Sequence, residues 1–195
     1  MSVADRSIDP RIKESAKEEF LQKGFLDASL QEICKNAGVT TGALYKRFKG
    51  KEELFCALVE STVQDLEEVV RQKSALPTTL TNEQLKKVWD MDREYMQWWF
   101  DYLYDRYDEM RLLLVFSDGT KYANFEHEWV EGMSHTTYAY YKEAQRRGLT
   151  KTDISEKELH VMLSSFWTAI CEPLIHGFTK EEAGRISDLM CGLFD

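Results

Sequence analysis

Proline is scarce in this 195-residue chain, with three in all, and no useful stretch alternates apolar and polar residues at the two-residue period of a half-buried strand. Together these absences predict an all-α chain. No apolar run approaches the ~20 residues that span a bilayer, and no charged-then-apolar segment opens the sequence, so no membrane partner is expected and the cytoplasm is the expected location. The cysteines are four, Cys34, Cys56, Cys171 and Cys191. They lack the spacing of metal or redox motifs and sit in apolar helical patterns, which reads as reduced buried thiols, with a disulfide pair or a thiol sensor as the alternative. A nucleophile elbow, a phosphate-cradling glycine loop and a His-Glu-x-x-His run are all missing. Neither an enzyme nor a cofactor is therefore expected.

What is there is concentrated in residues 29–51, SLQEICKNAGVTTGALYKRFKGK. Ser29 and Glu32 have the spacing of a capping box, in which each side chain serves the other's amide. Leu30, Ile33 and Cys34 or Ala37 form the inward stripe of a short helix. Gly38 then falls where a left-handed residue stops the helix and turns the chain. Thr40 or Thr41 caps a second helix whose Leu44 and Phe48, four apart, face inward. Thr41, Gly42, Tyr45 and Lys46 are left to project outward. Small polar groups followed by an aromatic and a cation suit a helix that enters a major groove.

Net charge is −9, which over the whole chain opposes nucleic acid, but its distribution reverses that reading at one end. Residues 29–51 hold five cations, Lys35, Lys46, Arg47, Lys49 and Lys51, against one acid, Glu32. Residues 1–51 hold ten basic and seven acidic groups, so nearly all the acidity lies beyond them. A basic reading head on an acidic body draws phosphate to one end only.

On these residues, from Phe20 and Gly24-Phe25 through Ser29-Leu30, Ala37-Gly38-Val39 and Gly42-Ala43-Leu44-Tyr45-Lys46-Arg47-Phe48 to Lys51-Glu52-Glu53-Leu54, the stretch Arg11 to Leu58 resembles the DNA-binding domain of the tetracycline-repressor-like (TetR) transcriptional regulators. Cys34, Arg47 and Gly50 depart from the commonest residues of that pattern. The resemblance implies a three-helix helix-turn-helix domain over residues 1–50 and a helical-bundle domain for ligand binding and dimerisation over 51–195. It implies DNA contacts by Ser29, Thr40, Thr41, Gly42, Tyr45, Lys46, Arg47 and Lys51, with Tyr45 and Lys46 reaching base edges or phosphate and Arg47 and Lys51 holding backbone phosphate. It further implies a homodimer on a palindromic double-stranded operator, built from the last two helices, with Met162, Leu163, Phe166, Ile170, Leu174, Ser165 and Ala169 offered between 159 and 178 and a kink at Pro173. A small-molecule effector entering the second domain would shift helix 4 and release the DNA, making the protein a ligand-responsive repressor.

Beyond the reading head the apolar spacing predicts helices from Asp9 to Gly24, Lys51 to about Lys73, Glu83 to about Tyr107, Glu109 to Phe116, Lys121 to Arg147, Ser155 to Gly177, and from Thr179 onward, with a break at Leu76-Pro77-Thr78-Thr79 and a cap at Thr81. All five tryptophans, Trp89, Trp98, Trp99, Trp129 and Trp167, lie in this acidic body. Aromatic stripes of this kind fill a core or wall a pocket for a flat apolar ligand. The candidate pocket residues are Tyr95, Trp98, Tyr102, Phe125, Trp129, Met133 and Phe166, with Asp92, Glu126 and Glu172 as carboxylates that would favour a cationic aromatic ligand. His127, Glu131 and His135 share one helical face, and with His160 or His176 they offer a metal reading; an exposed polar edge is the alternative, and no metal is expected. A metal-responsive regulator and a ligand-independent DNA-binding protein are the competing functions.

Overall fold

The computed structural model describes residues 8–74, 80–87 and 93–192, which form helices joined by turns, with no strand among them. Ten helices follow in order: α1 (Ile8–Asp27), α2 (Leu30–Ala37), α3 (Thr41–Tyr45), α4 (Lys51–Ser74), α5 (Asn82–Lys87), α6 (Arg93–Tyr104), α7 (Tyr107–Val115), α8 (Phe125–Arg146), α9 (Glu156–Ile175) and α10 (Lys180–Gly192). The break at Leu76 to Thr79 lies outside the described residues, as do Val88, Trp89, Met91 and Asp92. None of the described helices is long and apolar enough to cross a membrane.

Packing divides the chain into two compact units, one running to Gln64 and including Asp108–Asn124, the other holding Asp65–Tyr107 and Phe125 onward. The expected partition at residue 50 is one of roles; in packing terms the first fourteen residues of α4 and nearly all of α7 belong with the reading head. In that first unit Ile12, Ala16 and Phe20 of α1, Ile33 of α2, Leu44 of α3 and Leu54, Phe55 and Val59 of α4 are fully buried. Phe20, Phe25 and Phe55 meet with ring centroids 5.2 to 6.0 Å apart. Gly24, expected to end the first helix, interrupts it at φ 74°, ψ 168°, and the freed amide of Phe25 donates to the Phe116 carbonyl at 3.1 Å. Only glycine enters that region at no steric cost.

Two helix limits move for local reasons. The helix expected from Lys121 starts at Phe125, because side chains compete for the preceding backbone. Thr120 Oγ1 donates to the Ser117 carbonyl at 2.7 Å and accepts from the Tyr122 amide at 3.0 Å, holding 117–122 as a turn. The helix expected through Tyr107 ends at Tyr104, and α7 begins at Tyr107. Thr81 caps α5 as expected, accepting from the Gln84 amide at 3.2 Å while Gln84 accepts from its own amide at 2.9 Å.

In the second unit α8 packs on α9, and α10 on α6. Here the expected dimer stripe of α9 needs correction. Leu163, Ile170 and Leu174 are buried within their own unit, since they fall on the side of α9 that faces the bundle. The apolar residues that α9 leaves exposed are Val161 and Met162, 64% and 58% accessible.

Candidate functional site

The reading head is held by local chemistry. Ser29 Oγ accepts from the Glu32 amide at 3.4 Å and starts α2. The reciprocal half of the expected capping box is absent: the Ser29 amide donates instead to Glu19 Oε1 of α1 at 3.0 Å, and the Glu32 carboxylate takes Lys35 at 3.1 Å. Glu19 is buried and also binds Lys23 at 2.8 Å. Burial alone would raise its pKa, yet Lys23 and the Ser29 amide outweigh it and hold the carboxyl below its ordinary value. Gly38 adopts φ 64°, ψ 38°, and the amides of Gly38 and Val39 close onto the carbonyls of Lys35 and Cys34 at 3.1 and 2.9 Å. That is the left-handed stop the spacing predicts.

Of the two threonines considered for the next cap, Thr40 takes the role, accepting from the Ala43 amide at 3.2 Å. Leu44 and Phe48 are buried, as the four-residue spacing requires. Thr40, Thr41, Gly42, Tyr45 and Lys46 are exposed, Tyr45 to 56%. They form a contiguous outward surface on and beside α3. Arg47 and Lys51 are placed differently. Arg47 pairs through Nε with Asp9 and donates from Nη1 to the Ala43 carbonyl at 3.2 Å. Lys51 Nζ donates to the carbonyls of Leu26 and Ala28 at 2.8 and 3.1 Å and lies 4.8 Å from the Phe25 ring centre. Both brace the turns around the head. Lys46 and Lys49 are exposed and make no ion pair among the described residues. Arg11, which the spacing analysis passed over, is exposed with its guanidinium beside Gly38, and so stands over the turn.

In the second unit six of the seven pocket candidates join one ring cluster. Tyr95 stacks on Phe166 with centroids 5.9 Å apart, Trp98 on Tyr102 at 5.2 Å, and Phe125 on Trp129 at 6.3 Å. The hub is Trp99, edge-on to Trp98, Tyr102, Trp129 and Trp167 at 4.8, 6.0, 6.5 and 5.2 Å. Trp99 and Trp167 are fully buried and were missed as candidates, since helical spacing gives a face but not the ring across from it. Met133 is half-buried and makes none of these ring contacts. The indole Nε1 donors of Trp129 and Trp167 are buried with no acceptor, and a buried donor left unmatched costs ~1–3 kcal/mol. Glu126, 3.5 Å from Thr168 Oγ1, has its carboxyl pushed up by burial and by Glu172, against the hydrogen bond from Thr168. Glu172 Oε2 lies 2.9 Å from His176 Nε2.

Comparison with known proteins decides the lineage of the first domain. Residues 12–58 match the family model of the bacterial regulatory proteins of the tetR family. Over these residues the chain carries a DNA-binding domain of the tetR type. It is 40% identical over 70 residues to the HTH-type transcriptional activator FasR of Mycolicibacterium smegmatis, a match covering 36% of this chain and 31% of FasR. The chain thus spans under a third of that relative's length. Among solved structures, a TetR-family regulator from Streptomyces coelicolor A3 superposes with a TM-score of 0.64 at 18% identity, covering 94% of this chain and 90% of that one. The regulator FadR of Bacillus subtilis, solved in complex with stearoyl-CoA, superposes with a TM-score of 0.59 at 15% identity over 95% and 99%. These likenesses extend the tetR-type fold over the second unit as well.

Within that tetR-type fold the histidine constellation does not assemble. His135 turns to Glu156 at 3.1 Å, His127 faces the His160 ring at 5.8 Å, and His160 Nδ1 lies 3.1 Å from Ser134 Oγ. Among the described residues no three His, Cys, Asp or Glu side chains converge as metal ligands. Cys34, Cys56 and Cys171 are free, and burial pushes all three thiols up, Cys171 furthest. A thiol kept protonated is a poor redox sensor. The side chain of Cys191 lies outside the described residues.

Proposed function

We propose that the chain is a ligand-responsive, DNA-binding transcriptional regulator of the tetR type, acting in the cytoplasm as a homodimer on a palindromic operator. The observation that carries this reading is the exposed surface of Thr40, Thr41, Gly42, Tyr45 and Lys46, set out on a capped helix by Leu44 and Phe48 beneath it. Tyr45 and Lys46 contact base edges and phosphate, Thr40 and Thr41 approach the groove, and Ser29 and Arg11 add contacts at the turn. Arg47 and Lys51 act first as braces, and add backbone-phosphate contacts alongside the bonds they already make. A single head binds weakly, so two heads about 34 Å apart are needed for adjacent major grooves.

The effector belongs in the ring cluster. Two unmatched indole donors among stacked rings support a flat or apolar molecule that carries a hydrogen-bond acceptor. Occupancy acts through α4, the helix that runs from the reading head into the second unit, and releases the operator.

The test is selection of genomic fragments on the purified protein at about 0.15 M salt, where non-specific phosphate contacts are screened. Recovery of a palindromic motif supports the reading. A folded protein that enriches no sequence, with and without small molecules, overturns it.

A further inference from the structure

At the C-terminal end of α8 lies a cavity of about 360 Å³ that no ring of the cluster lines. Its walls are Tyr141 and Ala144 of α8, Leu149, Thr150, Thr152 and Ile154 of the α8–α9 connection, and Met162 of α9, with Lys86 of α5 contributing the charged group. The walls are fixed. The Tyr141 hydroxyl donates to the Thr152 carbonyl, the Leu149 amide returns to the Ala144 carbonyl at 3.0 Å, and Ser155 and Glu158 form a full capping box where α9 begins. Ala144 and Leu149 belong as well to a small apolar core with Leu85, Tyr140 and Leu80. The connection is thereby pinned on both sides of the cavity.

Of the residues that line the cavity, Lys86 alone carries a charge. Arg146 and Arg147 both hold Glu143, and Arg147 also donates to the Leu80 carbonyl. Lys142 Nζ takes Gln145 Oε1 at 2.8 Å. Lys86 is exposed and forms no ion pair among the described residues. An apolar cavity near the lower end of the size range of ligand sites, with one uncompensated cation on its wall, is complementary to a small amphiphile with an anionic head. A cationic ligand would meet Lys86, and the Leu149, Ile154 and Met162 side chains favour an apolar chain over a polar one, with Thr150 and Thr152 the polar side chains of the connection on the wall.

The geometry points to a second small-molecule site here, for a medium-length alkyl carboxylate whose chain lies on Ala144, Leu149, Ile154 and Met162 and whose head pairs with Lys86 Nζ. It goes beyond the effector reading of the ring cluster and does not depend on it. The test titrates the full-length protein, methyl-labelled for NMR, with decanoate below its micelle concentration and with decan-1-ol as the uncharged twin. Saturable shifts are expected at the methyls of Leu149, Ile154 and Met162, with the tryptophan indole signals unmoved. Decanoate is expected to bind about twofold to fivefold more tightly than decan-1-ol, the range of a solvent-accessible ion pair. Lys86→Met, at an exposed position, erases that preference; Ile154→Trp, on the connection, blocks both compounds. Absence of saturable methyl shifts, shifts at the Trp129 and Trp167 indoles instead, or an intact preference in Lys86→Met overturns the proposal. No readout involves DNA, so the regulator reading stands or falls separately.

Discussion

Single side chains in the reading head separate into those that fold it and those left to act. Tyr45 and Lys46 are exposed, so their removal touches no core, and surface changes of this kind stay within about 0.5 kcal/mol of neutral. Tyr45→Ala and Lys46→Ala are therefore expected to melt like the parent while binding the operator more weakly, with the salt slope of binding falling by about one in Lys46→Ala; calorimetry and a salt-dependent binding isotherm read the two halves. Wild-type binding in either variant would move the contact surface elsewhere. Leu44→Ala is the contrast, at ~2–5 kcal/mol for a fully buried leucine. Glu19 adds a pH dependence. Its carboxyl is held down by Lys23 and the Ser29 amide against the penalty of burial, so the folded state favours the charged form. The stability it contributes is complete above the ordinary carboxylate range and is lost as pH falls through the lower folded value. Glu19→Gln is expected to cost ~1–3 kcal/mol at neutral pH and to flatten the acid limb of the stability curve; an unchanged limb would mean the ion pair does not persist in solution. Nothing local announced this role, because Ser29 lies ten residues from Glu19 while Glu32 stood at the expected spacing.

Three helix ends were readable from a glycine or a threonine at the standard capping position. Gly38 stops α2, Thr40 starts α3 and Thr81 starts α5, each through a bond within three or four residues. Where a hydroxyl competed from outside the pattern, as Thr120 does before α8, periodicity placed the start too early. The left-handed stop carries its own prediction. Gly38 sits at φ 64°, a conformation that costs a side-chain-bearing residue about 1–2 kcal/mol, whereas Gly50 has no such φ and nothing within 4 Å of an added Cβ. Gly38→Ala is expected to lower thermal stability by that amount and to weaken DNA binding in step as the turn shifts. Gly50→Ala is expected to leave both unchanged or slightly improved, since it only narrows the unfolded ensemble. Equal melting temperatures for the two variants would show that the turn is not the constraint described.

For the molecule as a whole, the decisive step of the proposed mechanism is the pairing of two chains, and the face that would serve it is the least legible feature of the sequence. The stripe of α9 reads as one continuous apolar face, but Leu163, Ile170 and Leu174 are consumed by their own bundle, and only three dimensions separate inner from outer positions on so apolar a helix. The ring cluster shows the same limit: individual rings were nameable, while Trp99 as their hub was not. What α9 leaves to a partner centres on Val161, 64% accessible and clear of the wall of the small cavity beside Met162. A two-fold interface across this face would bury a charge introduced there twice over, once per chain. Val161→Glu is thus expected to sediment as a single 22.8 kDa chain with unchanged helix content, while the parent sediments at twice that mass. Because linking two heads raises overall affinity by about 10²–10⁴, operator binding by the monomeric variant should weaken by at least a hundredfold, whereas each head keeps Tyr45 and Lys46 exposed. A Val161→Glu protein that remains dimeric would place the two-fold axis on another face; one that becomes monomeric yet binds the operator as before would remove dimerisation from the mechanism.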